Sequence, residues 1–210
     1  MTLRPLIVGM MAEHTMDDTL LRSAELLSRH NSRLVLVDVQ AKLIDRIHRS
    51  GQVVGVCRRL IQGARILGVP LFATEQYPQG LGETIPELAE LLPPRLPKVR
   101  FSSADALGWG TAAEQGDDRH QVVVCGIETH VCVLQTVLDL MARGFQVSVP
   151  ADGVGSRHEM DWKFALDRMS TAGATIVTGE SVLFEWCEAA GTPEFKQISQ
   201  LIKEADKSRE

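Results

Sequence analysis

An open α/β fold, a parallel sheet covered by helices on both faces, is what this sequence predicts, and three observations carry it. Short apolar runs alternate with longer amphipathic stretches from residue 34 to the end of the chain, the pattern of successive strand and helix units. Val122, Val123, Val124 and Cys125 form an apolar block, β-branched at all but its last position, as expected of a central strand buried on both faces. At 210 residues, 44% hydrophobic and 23% charged, the chain suits one globular domain with a full core, which we place at residues 31–210.

Residues 1–30 precede the repeating pattern as an extension whose role is opaque. Within it, residues 17–29 read as an amphipathic helix capped by an early aspartate, and Met10, Met11 and Met16 offer later starts. The first strand is expected at residues 34–37. Residues 52–67 form the clearest helix, with Val53, Val56, Leu60, Ala64 and Leu67 at helical spacing and Gly68 as the stop. A second strand at 70–74 leads into a long connection, 77–97, rich in Gly, Pro and charge, with one short helix at 87–92. A weak strand near Lys98 follows, then the apolar strand 121–125, where Gly126 is expected to allow a sharp turn. From Val131 the stripe Leu134, Leu138, Met141 marks a helix closing at Gly144, which puts Cys132 in its first turn. Strands at 146–149 and 175–177 complete a set of six. Trp162 and Trp186 fall in helical patterns as packing residues, and 193–210 reads as a charged amphipathic helix carrying Phe195, Ile198 and Ile202.

Bulk properties exclude several classes. A formal net charge of -5 gives no electrostatic footprint for nucleic acid or an anionic membrane. Cys57, Cys125, Cys132 and Cys187 lie far apart with no C-x-x-C pair, so neither a disulfide framework nor a zinc ribbon is suggested, and a reducing cytoplasm is the expected compartment. The apolar stretch 6–12 is too short to span a bilayer and lacks a small-residue cleavage site. Gly80 and Gly82 are only a fragment of a dinucleotide fingerprint.

In an open parallel sheet, ligands bind beyond the carboxyl ends of the strands, so polar residues there are the candidates. Asp38, Lys98 and Cys132 occupy such positions. Together they would form a nucleophilic set: a thiol activated at the start of a helix, a carboxylate to take its proton, and an ammonium to stabilise the thiolate. Each also has an ordinary reading. Asp38 could cap a helix, Lys98 could lie on the surface, and Cys132 could be a small buried hydrophobe. Tyr77, Phe101 and Trp109 are expected to rim the carboxyl edge and offer an apolar pocket for a small molecule, or to serve as core or oligomer contacts.

The run Cys125-Gly126-Ile127-Glu128-Thr129-His130-Val131-Cys132-Val133 resembles the nucleophile motif of the isochorismatase-like cysteine hydrolases, a superfamily that includes nicotinamidases. Leu36-Val37-Asp38-Val39-Gln40 resembles its first strand with the catalytic aspartate, and Lys98 with Phe101 and Ser102 resembles its lysine segment. Gly144 to Val147 and Ala151-Asp152-Gly153 resemble the strand and acidic turn that follow the nucleophile. Thr74 to Gly82 is most similar to the metal-independent isochorismatase-domain proteins of unassigned substrate. The resemblance implies a three-layer α/β/α, Rossmann-like hydrolase fold with a six-stranded parallel sheet, an Asp38, Lys98, Cys132 triad, and a homo-oligomer. It also implies a cis peptide between Ile127 and Glu128 that turns the Glu128 amide toward that of Cys132 as an oxyanion hole. Gln40, Gln76, Tyr77, Phe101, Trp109, Thr129 and His130 are the implied pocket residues.

The implied chemistry is hydrolysis of an amide-like or related bond in a small molecule through a covalent Cys132 intermediate, without metal or other cofactor. Nicotinamidases carry a metal-binding Asp-x-His after the second strand; here Glu75 and Tyr77 stand at those positions, and the next histidine is His120. Asp45 and His48 read as a solvated pair. His130 either tunes the nucleophile or contacts substrate, or is an exposed residue by the helix start. Two other readings stay open at this level: a catalytically silent binding or assembly protein on the same fold, and a thiol redox enzyme with Cys125 as the resolving partner of Cys132.

Overall fold

Seven parallel strands form the sheet in the computed structural model, which describes residues 22–207. In chain order the elements are β1 (Ser32–Val37), α1 (Ala41–Ile44), α2 (Ser50–Leu67), β2 (Leu71–Gln76), α3 (Pro78–Leu81), α4 (Pro86–Ala89), β3 (Leu96–Lys98), β4 (Gln121–Ile127), α5 (Leu134–Ala142), β5 (Gln146–Pro150), β6 (Val154–Gly155), α6 (Glu159–Ala172), β7 (Thr175–Val177), α7 (Gly179–Cys187) and α8 (Pro193–Lys207). The six main strands run in the order β3, β2, β1, β4, β5, β7, and the two-residue β6 pairs with the end of β4.

Strand alternation divides the core in two. Leu34 and Leu36 of β1, with Val123, Cys125 and Ile127 of β4, point to the face covered by α2, α7 and α8. Val35, Val37, Val122 and Val124 point to the face covered by α5 and α6. Both strands are buried along their whole length, which is why they read as continuous apolar runs. Helix α2 ends as its sequence predicts, at a left-handed Gly68 whose N–H returns to the Ala64 carbonyl. Trp186 is sealed in α7, and Trp162 of α6 donates its indole N–H to the Ala151 carbonyl at 3.0 Å.

Four expectations need correction. The strand does not break at Gly126 but runs on to Ile127. Gly126 adopts φ +117°, and a Cβ there would sit 2.1 Å from the Val37 carbonyl oxygen, so its role is close approach to β1 rather than a turn. The helix expected from Val131 begins at Leu134, preceded by a wide π-helical turn over Thr129–Val133 in which the Glu128 carbonyl accepts from both Val131 N and Val133 N. Of the helix expected at 17–29, residues 17–21 lie outside the described residues and 22–29 form turns. Their backbone is claimed from elsewhere: Leu27 N donates to the Glu185 carboxylate at 2.8 Å, and Ser28 N to the Gln121 side chain at 2.9 Å. Strand β6 is an addition, since two residues following Asp152-Gly153 leave no periodicity to detect. Among the described residues, no helix is long and apolar enough to cross a membrane.

Candidate active site

The chain runs from β1 outward to β2 and β3, then returns to the other side of β1 as β4. The order therefore reverses between β1 and β4, and the crevice beyond the carboxyl ends at that point is where open sheets take ligands. Asp38 follows β1 directly, Gln76 and Lys98 end β2 and β3 in register with each other, and Cys132 lies in the turn after β4. Adjacent strands thus bring residues from four parts of the sequence to one place.

Asp38 takes a left-handed conformation, φ 52°, which Asp tolerates better than most residues. Its N–H donates to the Thr74 carbonyl at 3.2 Å. One carboxylate oxygen receives the Thr74 hydroxyl at 2.8 Å and the other receives Lys98 Nζ at 2.6 Å. Lys98 Nζ also donates to Gln76 Oε1 at 2.6 Å and to the Phe101 carbonyl at 2.8 Å, with the Arg100 carbonyl a longer fourth contact at 3.3 Å, so all three N–H bonds of the ammonium have acceptors. The pair is sealed, with side-chain exposures of 3% for Lys98 and 0% for Asp38.

Cys132 is buried, its Sγ 4.0 Å from Gln76 Oε1 and close enough to the Asp38 carboxylate to feel its charge. Burial and the adjacent Asp38 charge push the thiol up to about 12, against the opposing pull of Lys98. The helix-start thiolate expected from sequence is thus not the resting state: Cys132 precedes α5 inside the π turn and faces a carboxylate. Burial also raises the Asp38 carboxyl, with Lys98, Thr74 and Cys132 working against the rise.

Supporting groups that the sequence reading left without a role complete the site. Ser103 Oγ lies 3.0 Å from Thr74 Oγ1, and Ser103 N donates to Thr136 Oγ1, whose hydroxyl donates to the Cys132 carbonyl at 2.6 Å. Thr136 stands four residues after Cys132, the spacing at which a helical threonine returns a hydrogen bond to the backbone, and that spacing was a usable signal. Ser103 offered none, because its partners come from β2 and α5, far away in sequence.

The pocket residues divide. Tyr77 is exposed and lines a groove of about 420 Å³ with Lys98, Arg100 and Ser102, and the exposed Phe101 stands nearby in sequence. Gln40 is fully buried, its amide spent on Gln76 N, the Gln76 carbonyl and the Gly82 carbonyl, so it braces the wall with no amide hydrogen to spare for a ligand. Trp109 does not rim the carboxyl edge and takes the other reading open to it, a core contact. It packs on Phe72 and Phe145 under the Arg33 guanidinium, all near the amino ends of their strands, opposite the site. The His130 ring is turned to Ser156 Oγ at 3.0 Å. Thr129 is buried with its hydroxyl unpartnered, and the peptide between Ile127 and Glu128 is cis.

Cys125 lies on the opposite face of the sheet from Cys132, its thiol donating to the Val35 carbonyl at 3.7 Å. It cannot serve as a resolving thiol for Cys132. Glu75 is committed: although burial works against it, bonds from the Thr84 N–H and hydroxyl and from Arg95 hold its carboxyl below the usual range. Among the described residues, no group of three His, Cys, Asp or Glu side chains is arranged to hold a metal ion.

A parallel sheet with a buried carboxylate, ammonium and thiol at its switch point defines a class of α/β proteins equipped for thiol chemistry at the carboxyl edge. Residues 32–181 match the isochorismatase domain, and the chain belongs to that family. It is 45% identical over 168 residues to isochorismatase domain-containing protein 1 of Salmo salar, covering 79% of this chain and 59% of that protein, so it spans about three fifths of that relative's length. It is 44% identical over 178 residues to isochorismatase domain-containing protein 2 of Macaca fascicularis, covering 83% of this chain and 84% of the relative. The solved structure of MAR1 ribonuclease from Caenorhabditis elegans superposes with a TM-score of 0.75 at 38% identity, covering 84% of this chain and 92% of the other.

Proposed function

We propose that the chain is a hydrolase of small molecules in which Cys132 is the nucleophile, Asp38 the general base and Lys98 the counter-charge. The observation that carries the reading is the Asp38 carboxylate, held between the Lys98 ammonium and the Cys132 thiol.

With the thiol near 12, a free thiolate is not the ground state. Proton transfer to Asp38 is uphill until a carbonyl carbon is in place to accept the sulfur electrons, so deprotonation accompanies attack. Sγ bonds to the carbonyl carbon, and the oxygen takes the negative charge against the Glu128 and Cys132 amides. Losing one such donor typically costs about 3 to 4 kcal/mol of transition-state energy. Collapse of the adduct expels the amine or alcohol, which takes the proton from Asp38 and leaves a thioester. Asp38 then removes a proton from water as it attacks, and release of the acid returns the proton to sulfur.

The ribonuclease name carried by the Caenorhabditis elegans relative suggests a second substrate class. A formal net charge of -5 and a 6% exposed Cys132 favour a small molecule over a polyanion. The catalytically silent alternative is disfavoured by the completeness of the Asp38 and Lys98 bonding. The homo-oligomer remains part of this reading, and sedimentation velocity gives its order.

The test is turnover of a panel of small amides and esters by wild type and Cys132→Ala, with intact-mass detection of an acyl adduct on the wild-type protein. Loss of turnover in the variant and an adduct located at Cys132 are expected. Equal turnover by both proteins would sink the mechanism.

A further inference from the structure

A second cavity opens at the carboxyl edge, and it is basic. About 350 Å³ in volume, it is lined by Lys42 and Leu43 of α1, Arg46, Leu81 of α3, Glu128 and Arg157. Three cations share it with one carboxylate. The Glu128 carboxylate is already held by Arg157 Nε at 2.9 Å, and Lys42 gives one of its three donors to the Gly80 carbonyl at 2.9 Å. Arg46 is exposed and its guanidinium makes no hydrogen bond or ion pair with the described residues. In a chain with a formal net charge of -5, this is a local excess of positive charge with donors to spare.

Its position gives the charge a purpose. Glu128 lines this cavity, while its own amide belongs to the proposed oxyanion hole, so the cavity and the proposed reaction centre share this residue. The Glu128 charge contributes to the upward shift of the Cys132 thiol, which places the cavity within electrostatic reach of the sulfur. The far wall comes from the connection after β2, whose Gly80 and Gly82 carbonyls are tied to Lys42 and Gln40.

We propose that this cavity is the subsite for a carboxylate carried by the substrate, with Arg46 and Arg157 as its specificity-determining residues. The proposal rests on the reading of Cys132 as the nucleophile. A guanidinium fork suits a carboxylate, which it can hold by two parallel bonds. There is a second benefit. An anionic substrate brings negative charge toward a sulfur that must itself become negative, and Lys42, Arg46 and Arg157 offset that repulsion where it arises. The substrate class that fits is a small amide or ester bearing a carboxylate a few bonds from the scissile carbonyl.

The experiment separates recognition from turnover by measuring binding to Cys132→Ala protein. Matched probes differ in one group: succinamate against butyramide, and glutaramate against valeramide, each by titration calorimetry or ligand-observed NMR. The carboxylate member of each pair is expected to bind about tenfold more tightly, an advantage that added salt weakens and that Arg46→Gln or Arg157→Gln removes. Arg46 is exposed and its guanidinium has no partner among the described residues, so its variant tests recognition without unfolding the chain, and Arg46→Lys is expected to keep part of the preference. Equal binding of both members, or binding by neither, overturns the subsite. So does tight binding of a short single-stranded ribonucleotide oligomer that Arg46→Gln abolishes while the carboxylates fail to compete. Charge preference in the Cys132→Ala protein needs no catalysis, so its failure is distinguishable from failure of the nucleophile assignment, which turnover by that variant would reveal.

Discussion

A buried cation paired with a carboxylate sits at each end of strand β1, Arg33 of β1 itself at one end and Lys98 of β3 at the other, and the two are accommodated in opposite ways. At its amino end the Arg33 guanidinium, 7% exposed, bonds to Gln115 at 2.9 Å and Asp117 at 2.7 Å and lies 4.6 Å from the centre of the Trp109 ring. Asp117 remains 48% exposed, so its charge stays in water and the pair fastens a surface connection to the sheet at little desolvation cost. At the carboxyl end neither partner reaches water: Lys98 is 3% and Asp38 0% exposed. Taking both charges out of water is expensive, and the Asp38 carboxyl stays raised despite Lys98. The amino end is arranged to hold. The carboxyl end keeps a carboxylate in a setting that favours its accepting a proton, which a resting structure has no reason to do and a reaction does.

The largest effect that this contrast predicts is at Lys98. Lys98→Met strands the Asp38 carboxylate in a solvent-shielded site without its counter-charge, and a loss of about 3 to 5 kcal/mol in denaturant unfolding is expected, with turnover abolished. The double variant Asp38→Leu with Lys98→Met removes both charges and should recover most of that stability while staying inactive. A single variant as stable as wild type would mean that the carboxyl end is no more costly than the amino end.

A smaller effect, with a definite sign, is expected from pH. Asp38 must be ionised to act as base, so kcat/KM falls as pH falls through its folded value. Because burial raises that value, the acid limb lies above the ordinary carboxylate range near 3.8. For stability, a raised carboxyl is a contribution present below the ordinary value and lost as pH rises through the folded one, so ionised Asp38 costs the fold at neutral pH. The thiol gives an independent check. Against an ordinary thiol near 9.0, a value of about 12 leaves roughly a thousandfold less thiolate at neutral pH, so iodoacetamide should modify resting Cys132 slowly, its rate rising about tenfold per pH unit. Rapid alkylation at neutral pH would show that Lys98, rather than Asp38, dominates the sulfur.

These assignments also mark what is legible in a sequence. β1, β4 and α2 could be read because burial on both faces or one leaves a regular apolar pattern. Asp38, Lys98 and Cys132 could be singled out as polar residues where such patterns end. The protonation state of Cys132 could not, since it depends on Asp38, 94 positions away by numbering, and on exclusion of water by residues from other strands. Gly126 carried a correct signal with the wrong cause, because a turn and a close approach select glycine alike. Trp109 shows the same limit for loops: its apolar character was visible, but which edge of the sheet its connection crosses is set by Arg33, Phe72 and Phe145.

The smallest predicted effect is at Asp117, where the contrast between the two ends is tested most cleanly. Asp117→Asn removes a formal charge from Arg33 but leaves Gln115 and the Trp109 ring in place, with the guanidinium still able to meet the new amide oxygen. Since the carboxylate was half in water, its loss should change unfolding free energy by less than about 1 kcal/mol and leave kcat/KM unaltered. Comparison with Lys98→Met in the same buffer then isolates the variable that matters. Each substitution breaks one cation–carboxylate pair at one end of β1, yet only Lys98→Met leaves the remaining charge without solvent, the neutral hydroxyl of Thr74 staying as its side-chain donor. If Asp117→Asn destabilises as much as Lys98→Met, or depresses turnover tenfold, burial of the second partner is not what distinguishes a fastening pair from a reactive one.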